Sequence, residues 1–455
     1  MAASTVPVMS SFHTKSIQRM AVWLSVLCIL SAATSGQVSI AQMQNLYVSG
    51  FASQGFVTTS ANQLLVERSS KGSFEYNEVG TTVQANPSDR LRVGIQFLAR
   101  DLGLQGNNQV YIDWAGGDYQ WRDYLGVRVG KIKLPLGFYN QGRDIDMLRT
   151  SVLLPQCVYN EGLRDFALAQ EGMSLYGNLP LRKSGYFDYE LWCGTLNIPD
   201  PTSSFWGGNF GLGGISSVYP IAVEAGEEYG ADPSSVSVEY LGSSDEKVLF
   251  PVMYGGSFTW SPPVPGLRLG TTLLVGEFEM STNWQYAVSL VDSNGNPRDF
   301  TQQAHYSDEF DIDQMCTFSG EYVWRCATAA AEFTSNVMNA GKSGSSREEG
   351  YYGMLSCRTN KWLTCGMYYG VYHPRADDRN GDFAVMQGLP DYAGWEKDLV
   401  LSTRIDVNAN MMLKAEYHYL DGVALRDGQV LYDGAMAGAL DRYWHALLLK
   451  TTVHF

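Results

Sequence analysis

From about residue 45 to the last residue, apolar and polar positions alternate with a period of two. This spacing gives a β-strand one apolar face and one polar face. In the last such stretch Tyr443, Leu447, Leu449, Thr451, Val453 and Phe455 share one face, and Ala446, Lys450, Thr452 and His454 share the other. The stretch before it sets Leu413, Ala415, Tyr417 and Tyr419 against Lys414, Glu416 and His418. Earlier still, Leu399, Leu401, Thr403, Ile405 and Val407 oppose Asp398, Ser402, Arg404 and Asp406. Near the start, Leu91, Val93, Ile95, Phe97 and Ala99 oppose Arg92, Gln96 and Arg100. A water-soluble sandwich also alternates. Two features argue against one here: the stretches run to ten or more residues, and ionised groups sit on nearly every polar face. A tilted strand needs about 9–11 residues to cross the hydrocarbon of a bilayer. A transmembrane barrel turns its apolar face to lipid and its polar face to a wet lumen, and it closes so that no edge is left unpaired in lipid.

The connections carry a second, independent signal. Short turns are expected at 86–89, 121–124, 182–185, 262–266, 323–326, 358–361 and 407–410. Longer links are expected at 58–73, 102–108, 136–170, 198–247, 282–310, 338–346, 375–394 and 422–441. Short and long alternate strictly, as they do where tight turns lie on the periplasmic side and long loops outside. The predicted fold is therefore all-β, a transmembrane antiparallel β-barrel of sixteen strands with both termini periplasmic. Residues 284–292 read as a further strand or as a hairpin within a loop, and eighteen strands is the alternative count.

The amino-terminal segment departs from this pattern. Residues 1–41 hold Lys15, Arg19 and no acid, then an apolar run over 20–33 and small residues at Ser39 and Ala41. The run is too short to span a bilayer as a helix, so the segment reads as a secretory signal peptide, with 42–455 as the barrel domain. Removing its two cations takes the net charge from −15 to −17, a poor balance for binding nucleic acid. Six cysteines remain: Cys157, Cys193, Cys316, Cys326, Cys357 and Cys365. They are too few for a disulfide scaffold and show no metal-ligand spacing. An oxidising compartment would permit Cys357–Cys365 or Cys316–Cys326 bridges, although the expected hairpin register sets neither pair directly opposite.

The final strand, ending in the aromatic Phe455, resembles the terminal signature of outer-membrane barrels. The stretch 125–138 (LGVRVGKIKLPLGF) resembles the fifth strand of bacterial porins running into their long third loop, and the likeness continues through 143–146 and 154–159. It covers about a quarter of the chain. It implies a sixteen-strand porin of the Gram-negative outer membrane, passing small hydrophilic solutes and ions through a water-filled lumen. Assembly into homotrimers follows from it, as does insertion by the barrel assembly machinery, with Phe455 as the signal. The third loop, 136–170, would fold inward and set the constriction through Arg143, Asp144, Asp146, Arg149, Glu161 and Asp165, with Arg164 beside them. Facing it from the wall would be Arg92, Arg100, Arg128, Arg404, Lys414 and Lys450. Opposed charges across a constriction order water and favour polar solutes. The loop mixes signs, so ion preference stays open.

Other chemistry is thin. A lipid-facing Ser/His pair would be needed for a barrel phospholipase. His418 and His454 fall on the lumen face, which leaves His445 and His373 outward; the strand before His445 sets no outward serine beside it, and Ser49 or Ser53 across the closing seam is the conceivable partner. Residues 377–382 (DDRNGD) resemble a fragment of a calcium loop but lack its distal Glu, and a solvated external loop accounts for them. No catalytic residue, metal ligand or cofactor site is assigned. Two alternatives stand beside the diffusion channel. One is a channel selective for a sugar, oligosaccharide or anion, with Trp192, Trp206 and Tyr368 as stacking surfaces. The other is a structural or adhesive barrel that binds a partner through 198–247.

Overall fold

The computed structural model describes residues 45–66, 68–103, 106–196, 222–224, 226–232, 235–249, 251–341, 344–426, 431, 434–435 and 438–455. The expected signal peptide, Trp206 and most of 198–247 up to residue 221 lie outside the described residues. Among the described residues sixteen strands follow one another. They are β1 (Leu46–Thr59), β2 (Asn77–Ser88), β3 (Leu91–Asp101), β4 (Val110–Arg122), β5 (Leu125–Lys133), β6 (Ala169–Pro180) and β7 (Tyr186–Leu196). Next comes β8, in two pieces (Ser237–Leu249 and Met253–Ser261), then β9 (Leu267–Val291), β10 (Pro297–Trp324), β11 (Ala327–Ala340) and β12 (Gly344–Arg358). The last four are β13 (Leu363–His373), β14 (Glu396–Asn408), β15 (Met411–Gly422) and β16 (Tyr443–His454). Each strand pairs antiparallel with its chain neighbours, and β1 pairs with β16, setting Phe51 opposite His454 and Thr59 opposite Ala446. The sheet thus closes on itself, as the alternation predicts. The second piece of β8 bridges β7 and β9, and the first pairs with β9. Pro251, which has no N–H to give to a ladder, lies at the break.

The strand faces obey the inside-out rule of a membrane barrel. On the outer face Val93, Phe97, Val129, Leu191, Leu273, Leu355, Leu401 and Leu449 are exposed. On the inner face Gln96, Arg100, Ser174, Thr272, Glu332, Ser402, Lys414 and Lys450 are buried. An apolar outer wall of this extent is stable only in an apolar medium. Trp121, Tyr124, Tyr186, Tyr322, Trp324 and Trp362 lie exposed near the tight-turn end, the position of an aromatic girdle. Among the described residues no helix is long and apolar enough to cross a membrane.

Two connections differ from expectation: the end of 198–247 is strand, since the first piece of β8 begins at Ser237, and the second difference lies between β9 and β10. Residues 282–310 are not a loop: β9 and β10 run on through them and meet at a tight turn over 292–296, where the Asp292 carboxylate accepts the N–H groups of Asn294 and Asn296 at 2.9 Å each. The alternation there is real, and it buries Trp284, Tyr286, Val288 and Leu290 with Val238 of β8 and Val236 just before it in a small apolar core. The result is a three-stranded extension at the long-loop end. Residues 284–291 are thus the far end of β9, with Asp292 opening the turn, and among the described residues the strand number stays at sixteen.

Candidate functional site: the loop inside the barrel

The connection from β5 to β6, residues 134–168, crosses the lumen and touches the wall on nearly every side. It first reaches the far wall. The Gly137 N–H donates to Thr272 of β9 at 3.2 Å, and the Phe138 ring lies over Gly270, where an added Cβ would meet it at 2.4 Å. The Tyr139 hydroxyl donates to Glu321 of β10. Glu332 of β11 gathers this arm. It accepts the Phe138 N–H at 2.8 Å and the hydroxyls of Tyr159, Tyr352 and Ser319.

The chain then turns back, and the acidic segment meets the opposite wall. Asp146 sits among cations: Lys450 of β16 at 2.9 Å, Arg149 at 2.9 Å and Lys414 of β15 at 3.5 Å, with the Thr452 hydroxyl donating at 2.6 Å. Lys414 also donates to the carbonyls of Asp146 and Ser151 at 2.9 Å each. Glu416 accepts the N–H groups of Val152 and Leu153, the second at 3.2 Å. Arg404 of β14 donates to the Met147 carbonyl. Burial raises the Asp146 carboxyl, but Lys414, Lys450 and Arg149 outweigh this and hold it well below the usual carboxylate range.

The remaining charges anchor the two ends of the loop. Asp144 pairs with Arg164 and with Lys133 of β5, and Arg164 continues to Asp113 of β4 at 3.0 Å. Glu161 pairs with Arg143 at 2.9 Å and Arg100 of β3 at 3.4 Å. Burial pushes both carboxyls up, yet the adjacent cations hold both below their ordinary values: Arg164 and Lys133 for Asp144, Arg143 and Arg100 for Glu161. The side chain of Asp165 lies outside the described residues. Apolar packing completes the filling. Val152 and Leu153 join Val57, Tyr76, Leu420 and Leu448 on one side, and Leu136 and Phe166 lie against Trp192, Met253 and Leu274 on the other. Gly350 makes room for the loop: a Cβ there would meet the Cys157 carbonyl at 1.8 Å.

The structure therefore brings Arg100, Arg404, Lys414 and Lys450 of the wall to the loop. Arg92 and Arg128 stay apart from it, near the tight-turn end, where they pair with Asp118 at 3.6 and 3.5 Å, and Arg128 with Glu190 at 2.8 Å. Phe455 is exposed, and its N–H donates to the Gly50 carbonyl at 3.0 Å across the closing seam. Sequence reasoning missed Glu332, Glu416 and Asp113. Each sits at an inward position of its strand, so the alternation marks it as lumen-facing, but nothing local says that a distant loop will meet it.

Other candidates fall differently. Trp192 and Tyr368 are buried in the packing rather than displayed for a sugar. His373 keeps the outward parity of Met367 and Tyr369 but is buried at the end of its strand. His445 is outward and pairs its Nδ1 with the Tyr417 hydroxyl at 2.7 Å. In 377–382 the Asp378 carboxylate accepts the N–H groups of Asp382 and Phe383, at 3.0 and 2.7 Å, where a short helix begins. Those N–H bonds, Phe383 foremost, hold its carboxyl below the usual carboxylate range, so a structural cap accounts for the aspartate. Cys357 and Cys365, contrary to the expected register, are directly opposite in the β12–β13 ladder, and Cys316 lies far along β10 from Cys326.

No protein-family model matches this chain, and no curated protein matches it. Among solved structures, it is similar to the anion-selective porin from Comamonas acidovorans, at 10% identity and a TM-score of 0.48, over 90% of this chain and 99% of that one. Outer-membrane expressed OmpT of Vibrio cholerae gives 9% identity, a TM-score of 0.48 and coverage of 90% and 97%. Pseudomonas putida OprB gives 11% identity, a TM-score of 0.47 and coverage of 93% and 97%. The assignment as a closed sixteen-strand barrel rests on the strand register itself.

Proposed function

We propose that this chain is a porin of the Gram-negative outer membrane, a passive channel for small hydrophilic solutes and ions whose bore is set by the loop over 134–168. Export by the signal peptide, insertion through the carboxy-terminal strand and Phe455, and assembly as a homotrimer belong to the same reading. The observation that carries it is the charged loop held inside a sixteen-strand wall. An empty barrel of this size leaves a wide aqueous pore, and a loop pinned to Glu332 on one side and to Lys414 and Lys450 on the other divides that space. Solutes would pass between the loop and the wall, beside ion pairs of both signs.

The burial of the inward side chains at the level of the loop favours a second reading, a sealed barrel with a structural or adhesive role. The three-stranded extension would then be its contact surface. Planar-bilayer recording separates the two. The porin reading expects discrete steps, smaller than those of an unobstructed sixteen-strand barrel, and a measurable ion preference. Absence of steps at every salt concentration and voltage would overturn it in favour of the sealed barrel.

A further inference from the structure

Three cysteines, one from the β10–β11 turn and two from the β12–β13 hairpin, converge on the outer face at the tight-turn end. Cys326 is in the two-residue turn between β10 and β11. Cys357 is the second-last residue of β12, opposite Ala327 on one side and Cys365 of β13 on the other. The Sγ atoms of Cys326 and Cys357 are 3.0 Å apart. Cys326 and Cys365 are exposed and Cys357 partly so, and Trp324 and Trp362 of the aromatic girdle flank the group. Girdle residues mark the membrane–water boundary, so these thiols lie at the rim rather than deep in hydrocarbon. Cys157 and Cys316, by contrast, are buried.

We propose that Cys326 and Cys357 form a disulfide in the assembled barrel, with Cys365 as a third thiol able to exchange onto Cys357. The proposal rests on the reading that the tight turns face the periplasm, where disulfides persist. The thiolate of Cys326, in the exposed turn, attacks a disulfide-bearing oxidant protein and forms a mixed disulfide. The thiolate of Cys357 then attacks the Cys326 sulfur and expels the oxidant as a dithiol. Two protons and two electrons leave the barrel thiols, and the oxidant takes them up. Attack of the Cys365 thiolate on Cys357 would move the bond to Cys357–Cys365 and release Cys326, with no net redox change. Thiols already in contact need only a small side-chain rotation to reach the bonded separation of about 2.05 Å. The bond would tie the β10–β11 turn to β12, fixing three neighbouring strands at their periplasmic ends.

The test uses the full chain in cells. Growth is stopped with acid, free thiols are capped with N-ethylmaleimide, and peptides are mapped by mass spectrometry without reduction. A linked pair carrying Cys326 and Cys357, with Cys365 capped, is the expected result. Cys326→Ser should move the link to Cys357–Cys365, and Cys357→Ser should leave Cys326 and Cys365 both capped. All three thiols capped in the wild type, and reached by an impermeant maleimide only after permeabilisation, would overturn the disulfide and leave the topology standing. Labelling of Cys326 from outside intact cells would overturn the topology and the disulfide with it. A dimer on non-reducing gels that Cys326→Ser abolishes would overturn the intramolecular assignment.

Discussion

Two levels of the same lumen use the same residue types to opposite ends. Near the tight turns, Arg92, Arg128 and Arg358 are 63%, 28% and 58% exposed while pairing with Asp118, Glu190 and Asp406. At the level of the loop, Lys414 and Lys450 are 0% and 1% exposed, and Asp146 between them is 2% exposed. Exposed pairs are worth little, with a median of about 0–1 kcal/mol, because water solvates either partner alone. Removing one partner of a buried pair strands the other and costs roughly 3–5 kcal/mol. The difference teaches that charge in a lumen does two jobs. On the porin reading it sets, in the vestibule, the potential that a passing ion would meet, and at the loop it holds a segment of chain in place.

Removing the held segment should have the largest effect. Excising about ten residues over 144–153 deletes Asp146 and the backbone that Lys414, Arg404 and Glu416 grip. Single-channel conductance should rise several-fold, with loss of size exclusion in liposome-swelling assays. Unchanged conductance would mean that the loop does not bound the conducting path, and the contrast between the two levels would then have no functional side.

A smaller change tests the lock itself. Asp146→Asn keeps the shape and the Thr452 bond but leaves Lys414, Lys450 and Arg149 facing one another. The loop should loosen, giving noisier, larger openings at every salt concentration and faster protease cleavage within 134–168. The wild-type pH dependence follows from the lowered Asp146 carboxyl. Its stabilisation is fully present above the ordinary carboxylate range near pH 4 and is lost only as pH falls through its depressed value. Protonation of the Asp146 carboxylate should therefore add no conductance transition between neutral pH and about pH 4. A transition between pH 5 and 7 that Asp146→Asn removes would contradict this assignment.

Much of this contrast could be read from the chain before its fold was known, and the reasons are local. Period-two alternation assigns Arg92, Arg100, Arg128, Arg404, Lys414 and Lys450 to the inner face without any knowledge of the tertiary structure. The strict alternation of short and long links places the tight turns at one end. The boundary of β9 failed because polar residues such as Ser281, Asn283 and Gln285 look like loop, whereas their inward neighbours Trp284 and Tyr286 continue the strand. The separation into two levels was not legible at all. Whether Arg128 or Lys414 meets the loop depends on how far along its strand it lies and on the path of residues 134–168 across the lumen, a long-range property that no local pattern encodes. For the same reason Cys326 and Cys357 could not be paired from spacing: their approach depends on the turn at 325–326 bending its thiol to the outer face.

The smallest expected effect lies in the vestibule, and it is the sharpest check on the comparison. Arg128 pairs with Glu190 at 2.8 Å, lies 4.0 Å from the centre of the Tyr176 ring and remains over a quarter exposed. Arg128→Gln keeps a donor for Glu190 and removes one positive charge. Because water already reaches this pair, the folded barrel should be as abundant and as heat-resistant as the wild type, within about 1 kcal/mol. What changes is the field. One fewer cation beside Asp118 and Glu190 should shift the reversal potential toward cation preference by a few millivolts in dilute salt. At 1 M salt the screening length is only about 3 Å, so the shift should vanish there. Asp146→Asn should act the other way round, altering conductance at every salt concentration because it changes structure rather than potential. If Arg128→Gln instead gave a salt-independent change in conductance, the vestibule charges would be structural too, and the division between the two levels would fail.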